Sequence, residues 1–270
     1  MAQFQIMSDL HLESPSAYDA FPVPPKAPYL ALLGDIGNAR DDGLFQFLDA
    51  QLVHFDTVFF LLGNHEPYHA SWSKVKERLR DFSETVARRR SLQTEGDSHI
   101  GRFVFLDQTR YDVSSDVIVL GCTLHSKVSP SHHDHVSFGL NDFYYIQDWT
   151  VEDHCEAHQA DLDWLNAQVA EISSQEPSRK IVIFTHHSPS TAEAVTDPAH
   201  AKSPISSGFS TDLSMEECWS NLAVRLWVFG HTHYNCDFED AVTKKRVLTN
   251  QRGYYFSQAA EFDLEKVVSI

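Results

Sequence analysis

Five short apolar segments, each followed by Asp, Asn or His, constrain this chain more than any other feature of its sequence. Residues 30–33 are the clearest example, because four apolar residues are too few for a lone helix and typical of a strand buried on both faces. The other segments are residues 4–7, 58–62, 181–184 and 226–229. The polar residues that follow them are Asp9, His11, Asp35, Asn64, His65, His186, His187, His231 and His233. Strands of an open α/β sheet present such residues at one edge, so we expect a metal site there.

The donor types in this set limit the metal. Imidazole nitrogens and carboxylate oxygens suit zinc, iron or manganese, whereas a set this rich in histidine is poor for calcium or magnesium alone. We therefore expect divalent Mn, Zn or Fe.

Length and composition fit a single domain spanning residues 1–270. The chain has 42% hydrophobic residues, enough for a full core, and it shows no internal repeat or linker. Four widely spaced cysteines without a Cys-x-x-Cys motif indicate reduced thiols, which favours a cytoplasmic protein. No signal peptide or run of membrane-spanning length is visible, so a membrane partner is not expected.

The charge of the chain bears on its partners. Lys and Arg number 21 against 38 Asp and Glu, which gives a formal charge of −17. Such a surface repels polyanions, so nucleic acid is not expected as a partner. A small anionic substrate is compatible with this charge, since two dications would reverse the field locally.

Periodicity locates the remaining elements. Apolar residues three and four apart predict helices over residues 43–55, 71–89 and 150–172, and Thr150 with Asp153 approximates a capping box at the start of the third. Further strands are predicted over residues 103–107, 117–122, 246–250 and 259–264. Neither period is present in residues 14–28, 125–148 and 192–212, so we expect loops there, the last of them beside the site.

The sequence also contains a zinc-protease pattern that we interpret differently. His65, Glu66 and His69 match His-Glu-x-x-His, a motif that works only when both histidines share one face of a helix. Pro67 disfavours a helical Glu66. We therefore expect His69 to be a loop residue.

Two further groups of histidines have structural explanations. His132, His133 and His135 lie in a polar stretch with no apolar segment to position them, so we expect solvated or lid residues in preference to ligands. His158 falls on the apolar face of the third predicted helix, where we expect a buried, hydrogen-bonded side chain.

The order of the polar motifs points to a known family. Along the chain they are Asp-x-His, Gly-Asp-x-x-Asn, Gly-Asn-His-Glu, a histidine after a strand, and Gly-His-Thr-His, spanning residues 9–233. Together they resemble the calcineurin-like metallophosphoesterase superfamily. The resemblance implies a four-layer α/β/β/α sandwich of two mixed sheets, and the alternation of predicted strands and helices independently supports an α/β class. It also implies hydrolysis of a small phosphodiester or phosphomonoester.

The same resemblance assigns the metal ligands. One ion is expected on Asp9, His11, Asp35 and His233, and a second ion on Asp35, Asn64, His186 and His231. Asp35 would bridge the two ions, because each carboxylate oxygen can face one cation. Two ions about 3.5–4 Å apart clamp a phosphoryl group and lower the pKa of a shared water, so that hydroxide attacks phosphorus in line.

By resemblance, His65 contacts the substrate and protonates the leaving oxygen. In the protein Ser/Thr phosphatases of the superfamily, an Asp at the position of Asn38 orients this histidine, and arginines at the positions of Ala39 and Leu62 grip phosphate. Purple acid phosphatases carry Tyr at the position of Asn38, so their iron–tyrosinate is not supported. The chain therefore resembles a stand-alone small phosphoesterase.

The candidate substrate contacts are Asn38 and Arg252. Arg252 is near the last predicted strands, and a surface or core ion pair is the alternative role for it. Without arginines at the two gripping positions, we favour a singly charged phosphodiester over a dianionic monoester, with Mn or Zn as the activating metal.

Two other interpretations stay open. The first is a catalytically silent scaffold, although such relatives usually lack His65 or a metal ligand and this chain has them all. The second is a metal hydrolase of another bond, such as an amide, although the order of the motifs argues against it.

Overall fold

The computed structural model describes residues 1–94, 96, 98–200 and 202–270. The strands are β1 (Gln3–Met7), β2 (Tyr29–Leu33), β3 (Thr57–Leu61), β4 (Arg102–Phe105), β5 (Thr109–Asp112), β6 (Val117–Gly121), β7 (Lys180–Phe184), β8 (Val224–Phe229), β9 (Asp237–Glu239), β10 (Arg246–Thr249), β11 (Gly253–Tyr254), β12 (Ser257–Gln258) and β13 (Val267–Ser269). The α-helices are α1 (Asp42–Gln51), α2 (Trp72–Ser91), α3 (His133–Gly139), α4 (Asp142–Tyr145), α5 (Val151–Gln175) and α6 (Glu217–Ser220). Short 3-10 helices cover Pro130–His132, Glu193–Val195 and Ser206–Gly208.

Two mixed sheets form the centre of the fold. The first has the order β13-β1-β2-β3-β4, and the second has the order β5-β6-β7-β8-β10-β9. Within each sheet the central strands are parallel, and antiparallel pairing occurs at the edges, at β13, β5 and β9. The parallel strands therefore direct their C-terminal ends to the same edge of each sheet.

Side-chain alternation along the strands creates four layers. In β2, Ala31 and Leu33 belong to the core between the two sheets, whereas Leu30 and Leu32 pack with residues of α1 and α2 on the outer face. In the second sheet, β7 and β8 contribute to the same central core and also to an outer cluster with α5. The expected α/β/β/α sandwich of two mixed sheets is confirmed.

The three helices predicted from periodicity are present as α1, α2 and α5. Ser71 caps α2 through the backbone N–H of Lys74, and Thr150 with Asp153 forms both hydrogen bonds of the capping box at the start of α5. A capping box satisfies two of the backbone donors that a helix N-terminus leaves free, which explains the sharp start of α5.

One predicted strand is wrong. Residues 259–264 form turns, and the strand that pairs with β1 is β13, a few residues later. Phe262 and Leu264 pack against the outer core, and the backbone of Asp263 is held by the side chain of Asn250 instead of by a ladder. The apolar residues of this segment therefore anchor a loop. The edge strands β5 and β9 were missed because they are short and polar.

In the described part of the chain, no helix has the length and apolar character needed to cross a membrane.

Candidate metal centre

The strand ends of both sheets converge on one site, as the sequence predicts. The loops after β1, β2 and β3 contribute from the first sheet, and the loops after β7 and β8 contribute from the second. The predicted ligands sit in these loops: Asp9 and His11, Asp35, Asn64, His186, and His231 with His233. The site therefore depends on the packing of the two sheets against each other.

Five of these residues have left-handed backbone conformations. The φ angles are 53° at Asp9, 47° at His11, 53° at Asp35, 70° at His231 and 49° at His233. A non-glycine residue with positive φ is uncommon and costs about 1–3 kcal/mol, and such residues cluster at functional sites. This conformation turns consecutive strand ends so that their side chains face a common point.

The first set of donor atoms surrounds His233. Its Nε2 lies 3.0 Å from Nε2 of His11 and 3.3 Å from Oδ1 of Asp9. Asp35 completes the set, with Oδ2 at 3.9 Å from Nε2 of His11. Among the described residues, Asp9, His11 and His233 form one of three groups of potential ligands whose donor atoms lie within 4.8 Å of one another.

The second set surrounds His186. Its Nε2 lies 3.5 Å from Oδ1 of Asp35 and 3.2 Å from Oδ1 of Asn64. His231 belongs to the same group, since its donor atom is within 4.8 Å of those of Asp35 and His186. Asp35 thus presents Oδ1 to one set and Oδ2 to the other.

The close approach of two loops places Asp35 between the sets. A side chain at Gly34 would have its Cβ 2.5 Å from the backbone nitrogen of Gly63, and the φ of Gly34 is +84°. Glycine is therefore required there on both steric and conformational grounds. The Gly-Asp and Gly-Asn motifs pair because the loops after β2 and β3 touch at their glycines.

Hydrogen bonds outside the two sets orient several of the proposed ligands. Nδ1 of His186 donates to the carbonyl of Leu33 at 2.9 Å, which leaves Nε2 directed into the site. The amide nitrogen of Asn64 donates to Asp142 at 2.8 Å, so its oxygen faces His186. Such partners fix the ring tautomer and orientation of metal ligands.

The electrostatics of the site favour cation binding. Burial opposes ionisation of Asp35, but the charges of His186 and His65 hold its pKa well below the usual range. Burial and the neighbouring His186 lower the pKa of His231 to about 3, so it stays neutral and keeps a free lone pair. Nε2 of His231 is buried and has no hydrogen-bond partner among the described residues. A buried nitrogen without a partner, beside an ionised carboxylate, fits a metal ion.

His65 lies against both sets without joining either. Its Nδ1 is 2.9 Å from Oε1 of Glu13, and the same oxygen is 3.4 Å from Nδ1 of His11. The ring of Tyr68 packs against His65 with the ring centroids 4.4 Å apart, and the Tyr254 hydroxyl is 3.4 Å from Nε2. Burial opposes protonation, yet the charges of Asp35 and Glu13 raise the pKa of His65 to about 9. The imidazole is therefore held in one orientation, with Nδ1 on Glu13 and Nε2 toward the Tyr254 hydroxyl.

Two cavities meet at His65. The smaller, of about 370 Å³, extends from Asn64 and His231 to residues 139–142 and the long loop after β7, and none of its described lining residues is Lys or Arg. The larger, of about 790 Å³, is lined by residues of the loops after β1 and β2 and by the β11–β12 hairpin. His65, Tyr68, Asn141 and Tyr254 line both. The described residues of the segment 192–212 lie beside the site, as expected.

The two candidate substrate contacts lie in different surroundings. Asn38 lines the larger cavity, but its side chain is engaged with the carbonyl of Tyr68 and the backbone N–H of Arg40. Arg252 donates to the carbonyl of Leu10 at 2.8 Å and is not among the described residues that line the two cavities. The side chain of Arg252 is thus engaged with the backbone of the loop after β1.

The remaining histidines follow the structural explanations. His69 lies in a turn with a φ of 64°, so the zinc-protease pattern is not on a helix. His133 is half-buried and contacts Glu152, outside the groups of potential ligands found in the described residues. His158 is buried, with Nδ1 at 2.9 Å from the carbonyl of Leu124.

Sequence reasoning missed four residues that the structure brings to the site. Glu13 contacts His65, Asp142 orients Asn64, Glu66 accepts backbone N–H groups from two loops, and Arg40 lines the larger cavity. Two of them had a sequence signal, because Glu13 continues the alternation of Asp9 and His11 and Glu66 ends the Gly-Asn-His-Glu motif. The positions of Asp142 and Arg40 depend on contacts between segments distant in sequence.

Comparison with known proteins agrees with the fold. The sequence model of the calcineurin-like phosphoesterase family matches residues 3–235, and the chain belongs to this family. Similarity extends over 99% of both chains to the uncharacterised protein L509 of Acanthamoeba polyphaga mimivirus, at 26% identity.

Solved structures share the fold at low identity. Phosphopantetheinyl hydrolase (PptH) from Mycobacterium tuberculosis superposes with a TM-score of 0.62 at 16% identity, covering 94% of this chain and 90% of that one. A dimetal phosphatase from Danio rerio gives a TM-score of 0.57 at 15% identity, covering 92% and 86%. The chain is thus a metallophosphoesterase by family, with His and Asp clusters suited to metal ions.

Proposed function

We propose that the protein is a dinuclear metal-dependent phosphoesterase that hydrolyses a small phosphodiester. The observation that carries this proposal is the position of Asp35, whose Oδ2 faces His11 at 3.9 Å while its Oδ1 faces His186 at 3.5 Å. One carboxylate shared between two sets of nitrogen and oxygen donors is the arrangement that a pair of ions requires.

The residues of the site form two sets of proposed metal ligands and one proposed proton donor. Asp9, His11, Asp35 and His233 would hold one ion, and Asp35, Asn64, His186 and His231 would hold the other. Bound divalent ions of this type supply an activated water and polarise the phosphoryl oxygens. The donor set favours Mn, Zn or Fe.

His65 is the group that acts on the substrate directly. Its Nδ1 is bonded to Glu13, so Nε2 is the atom available to a leaving oxygen, and it lies where the two cavities meet. Protonation of the leaving oxygen at this point helps break the ester bond. Glu13 replaces, from another loop, the acid that protein phosphatases place at the position of Asn38.

The two cavities support a diester in preference to a monoester. A diester has two organic arms, and one arm would enter each cavity from a phosphate held beside His65. A monoester would leave one cavity unused. The phosphate of a diester also carries a single negative charge, which suits the smaller cavity, whose described lining residues include no Lys or Arg.

A test compares metal content with activity on three chromogenic compounds. We expect two ions per chain, hydrolysis of bis(p-nitrophenyl) phosphate with a higher kcat/KM than p-nitrophenyl phosphate, and no hydrolysis of a p-nitroanilide amide. Preference for the monoester would reject the diester assignment alone. Bound metal without any activity would favour the scaffold, and amide cleavage would favour a different hydrolase.

The four cysteines are free, and Cys122 and Cys218 are buried, which fits the cytoplasmic location proposed from the sequence.

A further inference from the structure

One arginine that lines the larger cavity has no role in the site described above. Arg40 lies on the wall of this cavity, and only the backbone N–H of Arg40 has a hydrogen bond or ion pair among the described residues, to Asn38. The two carboxylates that follow it in sequence have other partners. Asp41 accepts a hydrogen bond from the Tyr18 hydroxyl, and Asp42 forms an ion pair with Arg78. The chain has 38 acidic and 21 basic residues. An arginine whose side chain has no partner among the described residues, close to the proposed metal centre, would attract an anionic group of a ligand.

Exposed aromatic rings line the same cavity. Tyr145, Tyr255 and Phe256 are 43%, 48% and 92% exposed. Tyr145 is fixed by packing on Tyr68 at 5.3 Å and on His69 at 5.1 Å. Exposed aromatic faces beside a catalytic site suit the stacking of a flat ring.

The turn between β11 and β12 contains two aromatic residues that its backbone geometry does not require. Tyr255 and Phe256 form the two-residue loop of this hairpin, a position where Gly, Asn or Asp is preferred. The hairpin is also held against the loop that carries Asp9 and His11. The N–H of Gly253 donates to the carbonyl of Asp9 at 3.0 Å, and the ring of Tyr254 packs against His11 with the centroids 4.4 Å apart. Phe256 is therefore held at the mouth of the site at the cost of exposing an apolar ring.

We propose that the larger cavity is a subsite for a nucleotide-type arm of the substrate. The base would stack on the rings of Tyr145, Tyr255 and Phe256, and a phosphate on that arm would pair with Arg40. This inference rests on the proposed function, since it assigns one of the two arms of the diester. The uncharged second arm would then lie in the smaller cavity.

Binding of thymidine 3′,5′-bisphosphate to the metal-loaded protein, measured by calorimetry against inorganic phosphate, tests the subsite without catalysis. We expect the bisphosphate to bind at least about tenfold more tightly than phosphate, since stacking of one base contributes about 1–3 kcal/mol. Phe256→Ala should reduce this preference about tenfold, and Arg40→Gln about threefold.

Matched control variants lie outside both cavities. Leu222→Ala removes another exposed apolar side chain, 61% exposed, and Arg225→Gln removes another exposed arginine, on β8. Neither control should change the preference for the bisphosphate. Equal binding of bisphosphate and phosphate by the wild-type protein, or a preference untouched by both cavity variants, would overturn the subsite.

A second readout separates this inference from the proposed function. Thymidine 5′-(p-nitrophenyl phosphate), with and without a 3′-phosphate, and methyl p-nitrophenyl phosphate share one leaving group. We expect kcat/KM to rise from the methyl ester to the thymidine ester, and again from the thymidine ester to the 3′-phosphorylated ester. Phe256→Ala should reduce the first increase, which comes from the base. Arg40→Gln should reduce the second increase, which comes from the 3′-phosphate. No hydrolysis of any ester, with selective bisphosphate binding intact, would reject the esterase and keep the subsite. A dimer in solution that Phe256→Ala dissociates would instead identify the aromatic rings as a subunit interface and overturn the subsite.

Discussion

Alanine in place of His65 removes the proposed proton donor but none of the residues assigned to the ions. We expect His65→Ala to retain its metals and to lose about 10²–10⁴ in kcat, the usual range for a lost general acid. The loss should be smaller for esters with acidic leaving groups, because those need less protonation. Metal analysis and kcat for a series of aryl esters measure both effects. A loss independent of the leaving group would indicate a purely electrostatic role.

Glu13 should act through His65. Glu13→Gln weakens the contact of Oε1 with Nδ1 of His65, which is 2.9 Å in the structure, and we expect a lower kcat on esters with poor leaving groups. In a double-mutant cycle at saturating metal, the loss from Glu13→Gln should largely disappear when His65 is already alanine. Losses that multiply in the double variant would contradict the positioning role. Because Glu13 also contacts His11, metal affinity should fall about 10-fold or more.

Asp35 is the residue on which both metal sets depend. Asp35→Asn should abolish activity and weaken both sites, whereas His233→Ala should deplete mainly the first, because His233 belongs to the first set alone and lies beside Asp9 and His11. Metal analysis of the two purified variants measures this difference. Retention of both ions by Asp35→Asn would contradict the shared carboxylate.

At the scale of elements, Glu66 joins the loop after β2 to the loop after β3. Its carboxylate accepts backbone N–H groups of Asp35 at 3.0 Å, Ile36 at 2.8 Å and Gly63 at 2.8 Å, and it is fully buried. Glu66→Gln replaces one acceptor oxygen with a donor that faces other donors. We expect the free energy of unfolding to fall by at least about 2 kcal/mol in urea titrations, since buried groups left unpaired cost about 1–3 kcal/mol each.

A matched control for this change is Glu171→Gln, on the exposed face of α5. It should alter the free energy of unfolding by less than about 0.5 kcal/mol. An equal effect of the two substitutions would show that Glu66 does not link the loops.

At the scale of the whole molecule, the proposed ions would connect the two sheets. Asp9, His11, Asp35 and Asn64 extend from the first sheet, and His186, His231 and His233 extend from the second. Ligands that bind only the folded state stabilise it, by about 2.7 kcal/mol at a concentration one hundred times the dissociation constant. We expect chelation to lower Tm by several degrees and added Mn or Zn to restore it. Chelation should lower the Tm of Asp35→Asn by less than it lowers the Tm of the wild-type protein. An unchanged Tm on chelation of the wild-type protein would contradict the proposal that the ions connect the two sheets.

The sequence by itself determined the elements whose signal is local. Apolar runs identified the parallel strands that carry the site, three-four spacing identified α1, α2 and α5, and Thr150 with Asp153 identified the start of α5. The polar residues after those strands could be assigned to one edge because parallel strands end together. The assigned roles of these residues remain predictions to be tested by the variants above.

Only the tertiary structure decided the contacts between loops that are far apart in sequence. Glu13 lies 2.9 Å from His65, whereas the side chain of Asn38 is engaged with the carbonyl of Tyr68. Arg40 lines the larger cavity, whereas Arg252 donates to the carbonyl of Leu10. These contacts depend on which loops pack together. The segment over residues 259–264 has strand-like composition, yet its backbone is held by Asn250 and its apolar side chains pack on the outer core. A local sequence pattern indicates which face of a segment is apolar. The packing of the two sheets determines which residues that face contacts.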